Sequence, residues 1–194
     1  MEIGFNAVKF VHILSVVFMS APLYNLIVVN ERALFGPMSY KLDRYMENLI
    51  KGSSTRCYVF QLTALVTGFL LVYFSGLGLT SIVSNWVLAA KTGLLLALMG
   101  LLSYVHFGIQ PKIEKLLAPL SEDPIPEGVA TAIKPLRIRR KRLAGVCLFL
   151  VITLIILGLQ VFVRYGSILT LTLIVLAALF AWWVYKKPIP YGWV

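Results

Sequence analysis

The sequence predicts an all-α protein whose helices form a polytopic transmembrane bundle with about five spans. Of its 194 residues, 59% are hydrophobic and only 13% are charged, and the mean hydropathy is +0.87. Soluble domains carry about 25% charged residues, so much of this apolar surface is expected to face lipid. Since backbone groups in lipid must find partners within their own segment, each span is predicted to be helical.

Five apolar runs are long enough to cross the hydrocarbon core of a bilayer, which takes about 20 helical residues. The whole chain, residues 1–194, is expected to form one transmembrane domain. Its two long connections are residues 30–56 and 108–142. The predicted spans cover residues 5–29, 57–76, 86–107, 143–163 and 167–185.

Basic residues alternate between the connections and indicate the orientation of the chain. Lys and Arg outnumber Asp and Glu by 18 to 8, which gives a net charge of +10. Residues 30–56 and 108–142 hold most of these cations, whereas residues 77–85 hold none. Because cytoplasmic connections carry the excess of Lys and Arg, both long connections and the C-terminus are predicted to be cytoplasmic and the N-terminus to lie outside. We therefore expect a multi-pass protein of the inner (cytoplasmic) membrane.

The basic run Arg137–Arg142 directly precedes the fourth span and bears on the partners of the protein. Topology alone explains this run, and binding of anionic lipids is the more specific alternative. No basic motif with interleaved aromatic residues supports a nucleic-acid partner. In the third span, small residues at four-residue spacing favour close approach of another helix, within the bundle or from another membrane subunit or a second copy: Ala89, Gly93 and Ala97.

The two long connections differ in their predicted structure. The first is expected to contain an amphipathic helix on a membrane or partner surface, because five apolar residues follow helical spacing: Leu42, Tyr45, Met46, Leu49 and Ile50. The second is expected to be mostly irregular, because it contains four prolines: Pro119, Pro124, Pro126 and Pro135.

Ionisable side chains within a span are costly and are therefore candidate functional residues. His12 lies in the outer third of the first span, Lys91 near the outer end of the third span, and His106 at the cytoplasmic end of that span. Each of the last two has a less specific interpretation: Lys91 could extend to the headgroups, and His106 could be a hydrated residue at the interface.

Depth in the membrane sorts the polar residues of the spans into two groups. The outer group contains Lys9, His12, Ser15, Tyr73, Lys91, Gln160 and Arg164. The inner group contains Asn25, Asn30, Arg56, Gln61 and His106. No Asp or Glu falls within a predicted span, which argues against a proton pump based on carboxylates.

A histidine inside a membrane helix is typical of a haem ligand, a proton relay or a metal ligand. The span limits place His12 and His106 roughly 20 Å apart along the membrane normal at 1.5 Å per residue. Both cannot then bind one haem iron. A haem bound through His12 would be five-coordinate, would use a ligand other than histidine, or would take a second ligand from another subunit.

Several short motifs in the first 116 residues resemble the HemJ-type protoporphyrinogen oxidases and the related CopD-like membrane proteins. The opening Lys9-Phe-Val-His12-Ile-Leu is similar to the K-x-x-H-[IL]-[IL] motif of the first span in that family. Further similar segments are Tyr45-Met-Glu47, Ala64-Leu-Val-Thr-Gly68, Trp86 through Lys91, and Pro111-Lys-Ile-Glu-Lys115.

The resemblance implies that His12 binds haem and that Lys91 corresponds to the lysine of the third span in the family. Ala89 stands where HemJ proteins carry a histidine two positions before that lysine, and the one later histidine of this helix is His106. The resemblance therefore favours a diverged relative, an accessory or electron-transfer subunit. If the chain is an enzyme, the resemblance implies an oxidoreductase that acts on a porphyrinogen.

The sequence thus leads to one main functional hypothesis and two alternatives. The main hypothesis is a small membrane protein that binds haem b or a related tetrapyrrole, with His12, Lys91 and His106 as candidate cofactor-binding residues. His12 is the candidate ligand of the haem iron, and His106 is the second candidate. The alternatives are a structural or accessory subunit without a cofactor, and a small transporter.

Overall fold

The computed structural model describes residues 2–30, 39–161 and 166–186, and these residues form helices and no strand. The α-helices are α1 (Glu2–Asn30), α2 (Tyr40–Phe74), α3 (Ser81–Ser84), α4 (Trp86–Ser103), α5 (Gln110–Leu117), α6 (Glu127–Gln160) and α7 (Ser167–Lys186), and a π-helical segment, Tyr104–Ile109, joins α4 to α5. Five helical stretches are long and apolar enough to cross a membrane. The predicted all-α fold with about five spans is confirmed.

Two of the helices extend well beyond the predicted spans. The predicted amphipathic segment belongs to the first turns of α2 rather than to a separate helix, and its residues Leu42, Tyr45 and Leu49 are exposed. The prediction that residues 108–142 are mostly irregular is wrong. α5 and the first turns of α6 fill most of this range, and residues 118–126 connect them.

The prolines explain why that prediction fails. Pro111 lies at the junction of the π-helical segment with α5, where the hydrogen-bond pattern of the helix changes and the missing backbone N–H can be accommodated. Pro126 is the residue that precedes α6, and Pro135 lies inside that helix without ending it. Prolines at helix starts are compatible with a helical connection.

Four helices form a ring, and α7 lies outside it. α1 packs against α2 and α6, and α4 packs against the same two helices. α7 packs mainly against α6. Near the middle of the ring lies a buried apolar cluster that includes both cysteines as free thiols: Met19, Leu23, Cys57, Leu95, Leu98, Cys147, Val151 and Leu154.

We call the end of the ring at which α1 begins and α2 ends the outer end, after the predicted orientation, and the opposite end the inner end. At the outer end, α2 stops at a tight turn in which Gly76 and Gly78 have φ angles of +72° and +75°. These left-handed conformations favour glycine. Asn85 then starts α4, since its side chain accepts a hydrogen bond from the backbone N–H of Val87 at 3.0 Å.

At the inner end, a second apolar cluster joins the π-helical segment, α5 and the start of α6. It contains Val105, Ile109, Ile113, Leu117, Ile125 and Ile133. Asp123, in the connection between α5 and α6, caps the start of α2 by accepting hydrogen bonds from Ser39 and from the backbone N–H of Tyr40. The described parts of the two long connections, residues 39–56 and 108–142, thus pack as parts of the same bundle.

Candidate cofactor-binding site

His12 is oriented by a hydrogen bond to α2. Its Nδ1 atom lies 3.0 Å from the Oγ1 atom of Thr67, and that hydroxyl lies 2.6 Å from the backbone carbonyl of Thr63. Because a hydroxyl has one proton and Thr67 donates it to the carbonyl, Oγ1 accepts a proton from Nδ1. The Nε2 atom of His12 is then the unprotonated nitrogen, which is the form that binds a metal or accepts a proton.

Gly68 provides space beside this histidine ring. A β-carbon at position 68 would lie 3.4 Å from the Cε1 atom of His12. α1 and α2 can therefore approach closely at this level, with the imidazole against the backbone of α2. The orientation of His12 thus depends on two adjacent residues of one helix, Thr67 and Gly68.

Lys91 extends from α4 towards α6. Its Nζ atom lies 3.6 Å from the point that a β-carbon of Gly158 would occupy. The lysine side chain is therefore next to a position of α6 that has no side chain. A larger residue at position 158 would occupy part of the space around the ammonium group.

His12 and Lys91 line the same cavity at the outer end of the ring. The cavity has a volume of about 1050 Å³ and is partly open. Its walls come from α1, α2, α3, α4 and α6, and they are mostly apolar. Lys9 and Gln160 also line it, and no Asp or Glu does so among the described residues. The cavity therefore combines apolar walls with two ammonium groups and one imidazole.

The structure brings together part of the predicted outer group. Lys9, His12, Lys91 and Gln160 share the cavity. Ser15 instead is buried and donates a hydrogen bond to the backbone carbonyl of Val11 at 2.7 Å. Tyr73 is 67% exposed and does not line the cavity, and Arg164 lies outside the described residues.

His106 belongs to a different environment. It lies in the π-helical segment, and its ring packs edge-on against Tyr58 of α2 and against Phe107, with centroid distances of 5.9 and 4.8 Å. The positions of α2 that contact the two histidines, Thr67 and Tyr58, are separated by about 14 Å along the helix axis at 1.5 Å per residue. His12 and His106 therefore do not share one site.

The remaining inner group is not gathered into a site. Arg56 is exposed, whereas Gln61 is buried and its Nε2 atom donates to the thiol of Cys57 at 3.5 Å. Asn25 is exposed, and the side chain of Asn30 lies outside the described part of the chain. Arg56 and Gln61 lie on one helix but on different sides of it, one exposed and one buried, so similar depth alone did not bring these two residues together.

A buried ionic cluster at the inner end is absent from the sequence predictions. Arg137 of α6 binds Asp43 of α2 at 2.6 Å and Glu47 at 2.9 Å. Arg140 binds Glu47 at 2.5 Å and is fully buried. Gln110 of α5 donates to Glu47 at 3.1 Å and accepts from Arg140 at 2.8 Å. Two carboxylates and two guanidinium groups thus pair in a largely buried site, in which only Arg137 is partly exposed.

These contacts change the interpretation of the basic run Arg137–Arg142. Two of its members point into the protein and pair with acids, whereas Arg139 and Arg142 are exposed. The signal that could have revealed the cluster is the spacing of Asp43 and Glu47 by one helical turn, matched by Arg137 and Arg140. Hydropathy does not show which faces of two helices meet.

Comparison of the chain with protein-family models, with curated proteins and with solved structures gives no match. The geometry of the outer cavity and the short motifs of the sequence are therefore the features that bear on function.

Proposed function

We propose that this membrane protein binds haem b or a related tetrapyrrole in the outer cavity through His12, and that it acts as a redox protein or as a subunit of a membrane redox complex. The observation that supports this proposal most is the orientation of His12. Its Nδ1 atom is engaged by Thr67, which leaves Nε2 as the metal-binding nitrogen of a histidine that lines a large cavity. Histidines that bind metals commonly donate their other ring N–H in this way.

The size and lining of the cavity fit such a cofactor. Ligand pockets typically have volumes of about 300–1,000 Å³ and mostly apolar walls with a few polar groups, and this cavity has about 1050 Å³. A tetrapyrrole is a large apolar ring with carboxylate side chains. The apolar walls would hold the ring, and the ammonium groups of Lys9 and Lys91 would attract the carboxylates. A bound haem would supply one-electron redox chemistry.

The membrane and the partners belong to the same proposal. The inner (cytoplasmic) membrane fits the predicted orientation, in which the basic inner end faces the cytoplasm. Anionic lipids would contact the exposed residues Arg139 and Arg142 rather than Arg137 and Arg140, which bind carboxylates within the protein. Should the chain be an enzyme, the same cavity would take a porphyrinogen as its substrate.

Absorption spectra of the protein purified in detergent test this proposal, with the iron oxidised and then reduced by dithionite. We expect a Soret band in the wild type, as isolated or after addition of hemin, and its loss in His12→Ala. His106→Ala is the matched control and should keep the band. Absence of a Soret band from the wild type, alone and with its native partners, would show that the chain is an accessory subunit without this cofactor. If His12→Ala keeps the band and His106→Ala loses it, His106 is the ligand.

A further inference from the structure

The connection between α2 and α4 at the outer end, residues 75–85, has an unusual composition for a segment outside the spans. We call it the outer connection. From Cys57 to Ala90 the sequence contains no Asp, Glu, Lys, Arg or His. The absence of charge thus continues without interruption from α2 through the outer connection into α4. At the usual share of about 25% charged residues, eleven water-facing residues such as 75–85 would carry two or three charges.

The outer connection also exposes large apolar side chains. Leu77 is 60% exposed, Leu79 is 58% exposed and Val83 is 82% exposed. Trp86, the first residue of α4, is 66% exposed. This apolar surface continues on the last turn of α2, where Tyr73 is 67% exposed. Contiguous exposed apolar surface marks contact with a membrane or a protein.

The polar groups of the outer connection are largely paired within the segment itself. The backbone N–H of Ser81 donates to the carbonyl of Gly78 at 3.1 Å, that of Ser84 to Thr80 at 3.1 Å, and that of Asn85 to Ser81 at 2.9 Å. The hydroxyls of Ser81 and Ser84 donate to the carbonyls of Gly78 and Thr80. Internal pairing of this kind lowers the cost of contact with acyl chains, which offer no hydrogen-bond partners.

From these observations we propose that the outer connection is immersed in the headgroup region of the adjacent leaflet, with Leu79 and Val83 directed into lipid. Trp86 then lies at the depth that tryptophan prefers in membranes. A lipid surface fits better than a protein partner, because the apolar surface is continuous with the sides of two helices long enough to span the membrane. This inference does not depend on a bound cofactor.

The proposal has a structural consequence for the cavity. Leu77, Ile82 and Trp86 also line it. The outer connection therefore separates the cavity from the leaflet, and one wall of the cavity borders lipid rather than water.

Quenching of tryptophan fluorescence tests the immersion. A variant that keeps Trp86 alone, with Trp182, Trp183 and Trp193 replaced by Phe, is reconstituted into phosphatidylcholine vesicles. A second reporter, Val83→Trp with Trp86→Phe in the same background, covers the case in which the first variant does not fold. The matched control is Ser121→Trp with Trp86→Phe, since Ser121 is exposed at the inner end.

We expect lipids brominated close to the headgroup to quench both reporters several-fold more than aqueous iodide does, and the control to show the reverse. Quenching of Trp86 and of the residue-83 reporter by iodide, with none by brominated lipid, would show that the outer connection faces water. Protection of both reporters from both quenchers would show that a second copy of the chain covers it. Either result would overturn the proposal, whether or not the protein binds a tetrapyrrole.

Discussion

The Nδ1 atom of His12 lies 3.0 Å from the Oγ1 atom of Thr67, and this contact joins the candidate metal ligand on α1 to a residue on α2. The hydroxyl of Thr67 in turn donates a hydrogen bond to the backbone carbonyl of Thr63, in the same helix, at 2.6 Å. The backbone of α2 therefore determines which nitrogen of the imidazole faces a ligand.

Removal of the Thr67 hydroxyl should weaken cofactor binding, although His12, the proposed ligand of the iron, is still present. In Thr67→Val the shape of the side chain is kept but His12 loses its hydrogen-bond acceptor, and loss of such partners typically weakens metal binding about 10- to 100-fold. Thr67→Ser keeps the hydroxyl and should behave like the wild type. Titration of the purified apoprotein with hemin, followed in the Soret region, measures the Kd. Equal Kd values for Thr67→Val and the wild type would mean that the hydrogen bond does not orient the ligand.

Lys91 should act as a specific charge rather than as an interfacial anchor. A lysine that pairs with a carboxylate of the cofactor cannot be replaced by the planar guanidinium of arginine without loss. Both Lys91→Arg and Lys91→Gln should therefore weaken hemin binding, by roughly tenfold or more for a charged hydrogen bond. The protein should still insert into the membrane.

Two controls separate these interpretations of Lys91. Lys112→Gln changes an exposed lysine of α5 and should leave hemin binding unchanged. Hemin dimethyl ester, which lacks the carboxylates, should bind the wild type and Lys91→Gln equally. If Lys91→Arg and Lys91→Gln both bind hemin like the wild type, Lys91 only extends to the headgroups and has no part in the site.

The ionic cluster at the inner end should be sensitive to the loss of a single charge. Glu47→Gln removes the carboxylate charge that Arg140 contacts at 2.5 Å, and removal of one partner of a buried pair costs about 3–5 kcal/mol. The double variant Glu47→Leu/Arg140→Met removes both charges and should recover part of the lost stability. Lys51→Gln breaks an exposed pair with Glu114, where the side chains are 58% and 37% exposed, and should change little.

The native cysteines provide the measurement for this prediction. Cys57 and Cys147 are 3% and 7% exposed and should react with a thiol-specific dye only when the bundle opens. Heating in the presence of the dye gives a Tm for each variant. A Tm of Glu47→Gln no lower than that of Lys51→Gln would show that the cluster does not hold the inner end together.

The predicted orientation can be tested with two serines that are exposed at opposite ends of the bundle. Ser167→Cys, at the start of α7, should react with a membrane-impermeant maleimide added to intact cells. Ser121→Cys, between α5 and α6, should react only after permeabilisation. Both positions are exposed, and the native cysteines are buried. The opposite pattern would reverse the orientation. Equal labelling of both would show that positions 121 and 167 do not lie on opposite sides of the membrane.

Sequence patterns predicted those features of the protein that depend on position along the membrane normal. The length of the apolar runs predicted the five spans. The positions of Lys9, His12 and Lys91 within their spans predicted that these residues lie at the same end of the bundle. The pattern could not predict that Thr67 is the partner of His12, because hydropathy does not reveal the rotation of one helix against another. For the same reason Asp43 and Glu47 were not recognised as the partners of Arg137 and Arg140.

The helical structure of the second long connection was missed for a different reason. Prolines at four positions suggested irregular backbone, but Pro119 and Pro124 fall in the short connection 118–126, Pro126 directly precedes α6, and Pro135 lies inside that helix without ending it. Apolar residues of α5 and α6 then bury each other at the inner end, and this packing stabilises helices that local sequence alone does not require.

α2 runs without a break from Tyr40 to Phe74 and carries both Glu47 and Thr67. Glu47 pairs with α6 at the inner end, and the hydroxyl of Thr67 orients His12 at the outer end. The two residues therefore lie on one helix, about 30 Å apart at 1.5 Å per residue. A tilt of α2 would therefore move both groups at once. One continuous helix thus connects the ionic cluster at the inner end with the contact that orients His12 in the outer cavity.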